Sequence, residues 1–287
     1  MFFIIGTIVV LVCVFGGYKA ADGHLDVLWQ PFEVIIIVGA AFGAFIIGTP
    51  KNVLFNTPKA LGAMMGGSPY SKANFIELLS VLYSIFKLAK TKGMLALESH
   101  TENPHESELF HNFPHFHKQH HAVEFLCDYL RLITLGSDNP HQMEDLMNEE
   151  LDIHHKEGHK QSHAIQSMAD GMPALGIVAA VLGVIHTMGA IAQPPEVLGH
   201  LIGAALVGTF LGVFISYGFL APMASSIGGV YDEESRYYEC IKVAILAYLN
   251  GYAPAICVEF ARKSIIPDMR PTFNEVEEAV STLPSFN

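Results

Sequence analysis

Residues 170–222 read DGMPALGIVAAVLGVIHTMGAIAQPPEVLGHLIGAALVGTFLGVFISYGFLAP. Two apolar runs, about Pro173 to Ile191 and about Gly199 to Ile227, flank a short turn that contains Pro194, Pro195 and Glu196. A helix that crosses a bilayer needs ~20 mostly apolar residues, and both runs meet that requirement. At ~1.5 Å per residue the second run extends ~43 Å. That exceeds a hydrocarbon core of ~30 Å, so this helix is expected to tilt or to project from the membrane. Working outward, two more runs qualify: Met1 to about Tyr18, and about Phe32 to Gly48. The first lacks a basic leader and a small-residue cleavage site, which predicts a retained helix rather than a signal peptide.

Composition agrees with a membrane protein. Hydrophobic residues make up 51% of the 287-residue chain, charged residues only 15%, and the mean hydropathy is +0.36. Soluble domains carry about a quarter charged residues, so the apolar excess needs a solvent other than water. A net charge of −12 argues against nucleic-acid binding. Cys13, Cys127, Cys240 and Cys257 form no CxxC pair, so free thiols are expected rather than a zinc knuckle or a disulfide framework.

The basic residues set the topology. Of 16 Lys and Arg, ten lie between Lys51 and Lys160, five between Arg236 and Arg270, and only Lys19 elsewhere. The connectors at about 21–31 and 192–198 carry none. The positive-inside rule then places the long loop and the C-terminus in the cytoplasm. An even number of crossings returns the N-terminus to the same side. The expected architecture is all-α: a polytopic membrane protein with four transmembrane helices and a helical cytoplasmic domain. Its segments are spans 1 and 2 in 1–50, a cytoplasmic loop in 51–170, spans 3 and 4 in 171–227, and a cytoplasmic tail in 228–287.

The loop is expected to be ordered. From Tyr70 to Leu97, Phe75, Leu78, Leu79, Leu82, Ile85, Phe86 and Ala89 recur at helical spacing, and Ser71 can cap the start. A second helix is predicted at Ala122–Leu135, a more polar third at about Pro140–His155, and a tail helix at about Asp232–Leu249. No segment alternates as a strand would.

The most informative chemical feature is an absence. Glu33, Asp170 and Glu196 sit at the edges of the spans, and none has Asp or Glu in its middle. A protein that carries ions across a membrane usually needs a carboxylate at depth. If ions cross here, another subunit should supply it. Spans 3 and 4 are rich in small residues: Gly176, Ala179, Ala180 and Gly183, then Ala204, Gly208, Gly212 and Ser216. Such faces let helices approach closely, either within one chain or toward a helix of another. Thr209 offers a hydroxyl to an ion path, although a membrane threonine commonly bonds back to its own helix, and spacing alone favours that. Pro222, inside span 4, removes a backbone bond and can hinge the helix. With Asp170 as cap, Pro173 falls in the first turn of span 3, where proline is tolerated.

Twelve of the 15 histidines lie between His100 and His163. Adjacent pairs without acidic or Cys partners at ligand spacing do not suit a metal, so a solvated, pH-responsive surface is expected and no metal site. Lys90, Lys92 and Glu98 flank Gly93, where a run of mixed charge is usually a hydrated helix end.

These stretches resemble the MotA family of flagellar stator proteins. The 170–222 segment is similar to that family's third and fourth helices. GMLALESHTENPHESELF from Gly93 and CDYLRLITLG from Cys127 are similar to its loop, and NGYAPAICVEFARK from Asn250 to its tail. The resemblance covers nearly the whole chain. It implies a homo-oligomeric ring, a pentamer, around a dimer of a single-span MotB-type partner that supplies the missing Asp. It implies no cofactor, no enzymatic activity, an inner-membrane location, and torque on the rotor protein FliG. It implies that Pro173 and Pro222, with Asp170, couple ion binding to movement, that Thr209 lines the path, and that Ala180 matches proton-driven rather than sodium-driven members. It implies Lys90, Lys92 and Glu98 as rotor-facing residues. Lys90 stands where the family usually has Arg, which keeps the charge and loses the bidentate fork. The alternatives are an ExbB/TolQ-like energiser, which usually has three spans, a metal transporter with a His-rich loop, and a scaffold.

Overall fold

The computed structural model describes residues 2–66 and 70–284, all of whose regular elements are helical. The expected start of the first span at Met1 lies outside the described residues. Four helical stretches are long and apolar enough to cross a membrane: Phe3–Ala20, Leu25–Gly48, and parts of Pro140–Gly189 and Pro195–Leu249. The chain divides into two compact units, one of residues 1–67 and 157–230, the other of 68–156 and 231–287.

In the first unit the spans pack through few and small side chains. Ile37 and Ala41 of the second span are buried with Met172 and Ala179 of the third. The first span meets the fourth where the Phe15 ring stands edge-on to Phe214, centroids 5.4 Å apart. Outward faces stay apolar and exposed, among them Ile177, Val181, Ile185, Leu206 and Val213. Water would penalise that surface, whereas lipid or a second apolar helix would not.

Two expectations about helix boundaries are corrected. The helix that carries span 3 does not begin at Pro173. One helix runs unbroken from Pro140 to Gly189, so Pro173 lies deep inside it and Asp170 caps nothing. The polar stretch expected as a separate helix at 140–155 is the beginning of that same helix. Asp170 is exposed and accepts a hydrogen bond from Gln166 Nε2 at 2.8 Å. Similarly, the tail helix is the end of a longer one. Pro195–Ile215 passes through a π-helical stretch, Ser216–Leu220, into Ala221–Leu249. A capping signal predicts a start only when the preceding residues cannot hold helix, and residues 140–172 can.

The second unit has a conventional core. Ser71 caps the Lys72–Lys92 helix through a capping box with Asn74. That helix buries Phe75, Leu78, Leu82, Ile85 and Phe86 in one core shared with residues of the His120–Thr134 helix and with Tyr237, Ile241 and Ile245. The Phe86 ring stacks on Tyr248 with centroids 4.8 Å apart. Truncating such a buried aromatic typically costs ~3–5 kcal/mol. Cys127, Cys240 and Cys257 are free and buried, and burial pushes their thiols up to about 12, 12 and 11. They are held as inert thiols in the core.

Candidate functional site: a helix pair in the membrane unit and a charged helix end in the other

Spans 3 and 4 touch backbone to backbone. A β-carbon added at Gly176 would lie 2.9 Å from the Gly208 carbonyl oxygen, and one at Gly183 would lie 2.7 Å from the Ala205 β-carbon. One at Gly208 would lie 3.1 Å from Ala179 and from the Ala180 nitrogen. The small residues therefore build an internal helix pair, as lipid-embedded packing favours. Their spacing is spent within this chain.

Thr209 and Ala180 sit one residue beyond the touching positions and are half-buried. Among the described residues the Thr209 hydroxyl makes no hydrogen bond, unlike Thr57 and Thr187, which bond back to Val53 and Gly183 at 2.8 Å. The back-bonded state favoured by spacing is thus not adopted. Thr209 keeps an uncommitted hydroxyl beside the helix pair, on a stretch where Leu206 and Val213 are exposed.

Each proline marks an irregularity. Pro222 follows the Ser216–Leu220 π stretch, in which the Ala221 N–H donates to the Ser216 carbonyl, five residues back. The one-residue slip accommodates a proline that would otherwise crowd the carbonyl of Gly218. Pro173 leaves the carbonyl of Ala169 without its helical donor. Ser216 Oγ, from span 4, donates to that oxygen at 2.6 Å. No local sequence signal marks this bond. Ser216 reads there as one more small residue.

In the second unit, Lys90 and Lys92 occupy the last turn of the Lys72–Lys92 helix, where cations complement the macrodipole. Gly93 ends it at φ 87°, a conformation that only glycine adopts freely. A 3-10 turn, Met94–Leu97, leads into the short Glu98–Glu102 helix. Leu97 is buried and anchors the turn, while Lys90, Lys92 and Glu98 are exposed. Among the described residues none of the three forms an ion pair. Arg131, missed in the sequence, holds the Glu98 helix in place. It bonds Glu102 and Asp128, each at 2.7 Å, and the Thr101 carbonyl at 3.1 Å.

The loop histidines gather more than their spacing suggests. His105 and His117 rings lie 5.7 Å apart, His105 and His120 5.3 Å, and His111 and His117 5.1 Å. Burial first, then these neighbours, push His117 below the usual histidine range. Beneath them Leu109, Phe110 and Phe116 are fully buried. Elsewhere in this unit, burial raises Glu234, opposed by His154, whose Nε2 lies 3.8 Å from its carboxylate.

Residues 4–93 match the N-terminal family of motility protein A, and residues 117–240 match the MotA/TolQ/ExbB proton channel family. Motility protein A of Escherichia coli strain K12 is 42% identical over 280 residues, covering 98% of this chain and 95% of that protein.

The chain belongs to the motility protein A family.

Chemotaxis protein LafT of Vibrio parahaemolyticus is 35% identical, covering 96% of each chain. The fold is that of a solved chain described as the structure of C. jejuni MotAB. The match has a TM-score of 0.76 and 19% identity, covering 93% of this chain and 96% of that one. The chain is a multi-pass membrane protein of an ion-channel family, which is not a family of enzymes. The family match bears out the resemblance read from the 170–222 segment and does not favour the transporter and scaffold alternatives.

Proposed function

We propose that this chain is the motility protein A subunit of a flagellar stator, supplying part of an ion path and the surface that pushes the rotor. One observation carries the reading. The described spans pair two helices at backbone contact, leave the Thr209 hydroxyl uncommitted beside them, and place no carboxylate at depth. A path with a hydroxyl and no acid is half a path.

The missing acid comes from a single-span MotB-type partner, present as a dimer inside a pentameric ring of this chain. Solved relatives described as MotAB support a two-component assembly. The exposed apolar faces of spans 3 and 4 suit such neighbours. The transported ion is the proton, and no cofactor takes part. Ala180 supports that choice over sodium, because a methyl adds no oxygen ligand to the path. Both termini and the loop face the cytoplasm, in accord with the basic residues. Lys90, Lys92 and Glu98 meet the rotor protein FliG as a mixed-charge helix end. Pro173 and Pro222 are the flexible points that convert ion binding into movement, with Asp170 beside the first. The helices that contain them, Pro140–Gly189 and the run ending at Leu249, continue from the membrane spans into the residues of the second unit.

Deletion of the gene, followed by swimming assays in sodium-free medium with and without a protonophore, tests this function. The expected result is loss of motility on deletion, and protonophore-sensitive, sodium-independent swimming in the complemented strain. Normal motility after deletion, or swimming that requires sodium, would contradict it.

A further inference from the structure

Pro173 and Pro222 converge on Ser216. Proline at 173 has no N–H, so the carbonyl of Ala169 loses the donor that every interior helical carbonyl otherwise has. Ala169 is fully buried, so water is not a ready substitute. Ser216 is 1% exposed, and its Oγ donates to this carbonyl at 2.6 Å. Its own carbonyl accepts from the Ala221 N–H across the π stretch that precedes Pro222. The side chain of one residue therefore serves the gap left by Pro173, and its main chain serves the register slip before Pro222. Nearby, Gly212 meets Met172 and Gly176 with no room for a side chain. Ser216 is thus held at the correct height by close helix packing.

We propose that Ser216 is a positioning residue that latches span 4 to span 3 at the proline gap, so that movement at one proline is felt at the other. This rests on the stator reading for its consequence, although the latch itself does not need a motor. A carbonyl with one replaceable donor has two states. It is held by Ser216 when the helices are in this arrangement and released when span 3 bends. Packed helices that move between discrete arrangements transmit motion in this way. Serine suits the role because its hydroxyl donates across the helix pair, where a longer polar side chain would not fit.

The test is a double-mutant cycle in the assembled complex with the MotB-type partner. Alanine at 173 restores an N–H that can bond the Ala169 carbonyl within the helix, which removes the need for Ser216. Melting temperature is measured for wild type, Ser216→Ala, Pro173→Ala and the double variant. The expected result is a clear fall for Ser216→Ala in the native background and almost none in the Pro173→Ala background. If Ser216→Ala does not accumulate at all, its recovery by Pro173→Ala supports the latch equally. Equal losses in both backgrounds would overturn it. A second readout separates latch from motor. In native membranes Ser216→Ala is expected to lower swimming speed several-fold more than it lowers the amount of complex. Unchanged swimming with a confirmed stability cycle would keep the hydrogen bond and overturn its coupling role.

Discussion

Gly176 and Gly212 meet so closely that a β-carbon on Gly212 would lie 2.8 Å from the Gly176 α-carbon and 2.7 Å from the Met172 carbonyl oxygen. Neither atom belongs to a flexible side chain, so relief requires the helices to part. Overpacking a tight interface typically costs ~1–3 kcal/mol. Gly212→Val should lower the melting temperature of the complex and abolish swimming. Gly199→Ala, where an added β-carbon meets nothing within 4 Å, should do neither. Membrane-fraction immunoblots and swim-plate diameters check both outcomes.

Thr209 should matter through its oxygen rather than its shape. It makes no hydrogen bond among the described residues, so Thr209→Val removes no internal hydrogen bond and should keep stability within about 0.5 kcal/mol of wild type, with the protein retained in the membrane. Swimming should nevertheless stop, and Thr209→Ser should restore most of it. Motility that survives Thr209→Val would remove this residue from the ion path.

Much of this fold is legible in the sequence, because the strongest signals are long and local. Four apolar runs specify the spans, and the Phe75–Phe86 periodicity with Ser71 as cap specifies the Lys72–Lys92 helix. Boundaries are not legible where a local start signal competes with helix-compatible flanks. Asp170 and Pro173 form a plausible start, yet residues 140–172 contain little that breaks a helix, and the helix runs through. The Ser216–Ala169 bond was illegible because it joins residues 47 apart in sequence and depends on how high one helix sits against another. Arg131 was likewise silent, since its partner Glu102 is 29 residues away.

The charged helix end should tolerate conservative change and resist reversal. Lys90, Lys92 and Glu98 are exposed and unpaired among the described residues, so their substitution should cost little stability. Lys90→Arg should swim normally, whereas Lys90→Glu should reduce swimming speed without reducing membrane levels. A compensating charge change on the rotor should recover part of the loss. Arg131→Ala should act similarly but indirectly, by loosening the short Glu98–Glu102 helix that Arg131 pins. Swimming speed at matched expression distinguishes these cases from simple loss of the protein.

Acid stability should show the mark of Glu275. Lys72 at 2.8 Å, then the backbone and hydroxyl of Thr272, pull its carboxyl down to about 2. A depressed carboxyl contributes stability that is fully present above the unfolded range of ~4.3 and is lost as pH falls through the folded value. Glu275→Gln should therefore lower the melting temperature at neutral pH, and its difference from wild type should shrink as the pH falls from the unfolded range toward about 2. A difference independent of pH would show that the charge is not responsible. The capping box that Glu275 makes with Thr272 survives in glutamine, so the comparison isolates the charged contact with Lys72.

The central claim is that this chain holds an ion path lacking its own acid, and proton flux into proteoliposomes tests it most directly. The chain is reconstituted alone and together with its MotB-type partner at equal protein density, and internal pH is followed after a potential is imposed. Flux is expected only when the partner is present, with loss of that flux in Thr209→Val. Equal flux from the chain alone would contradict it.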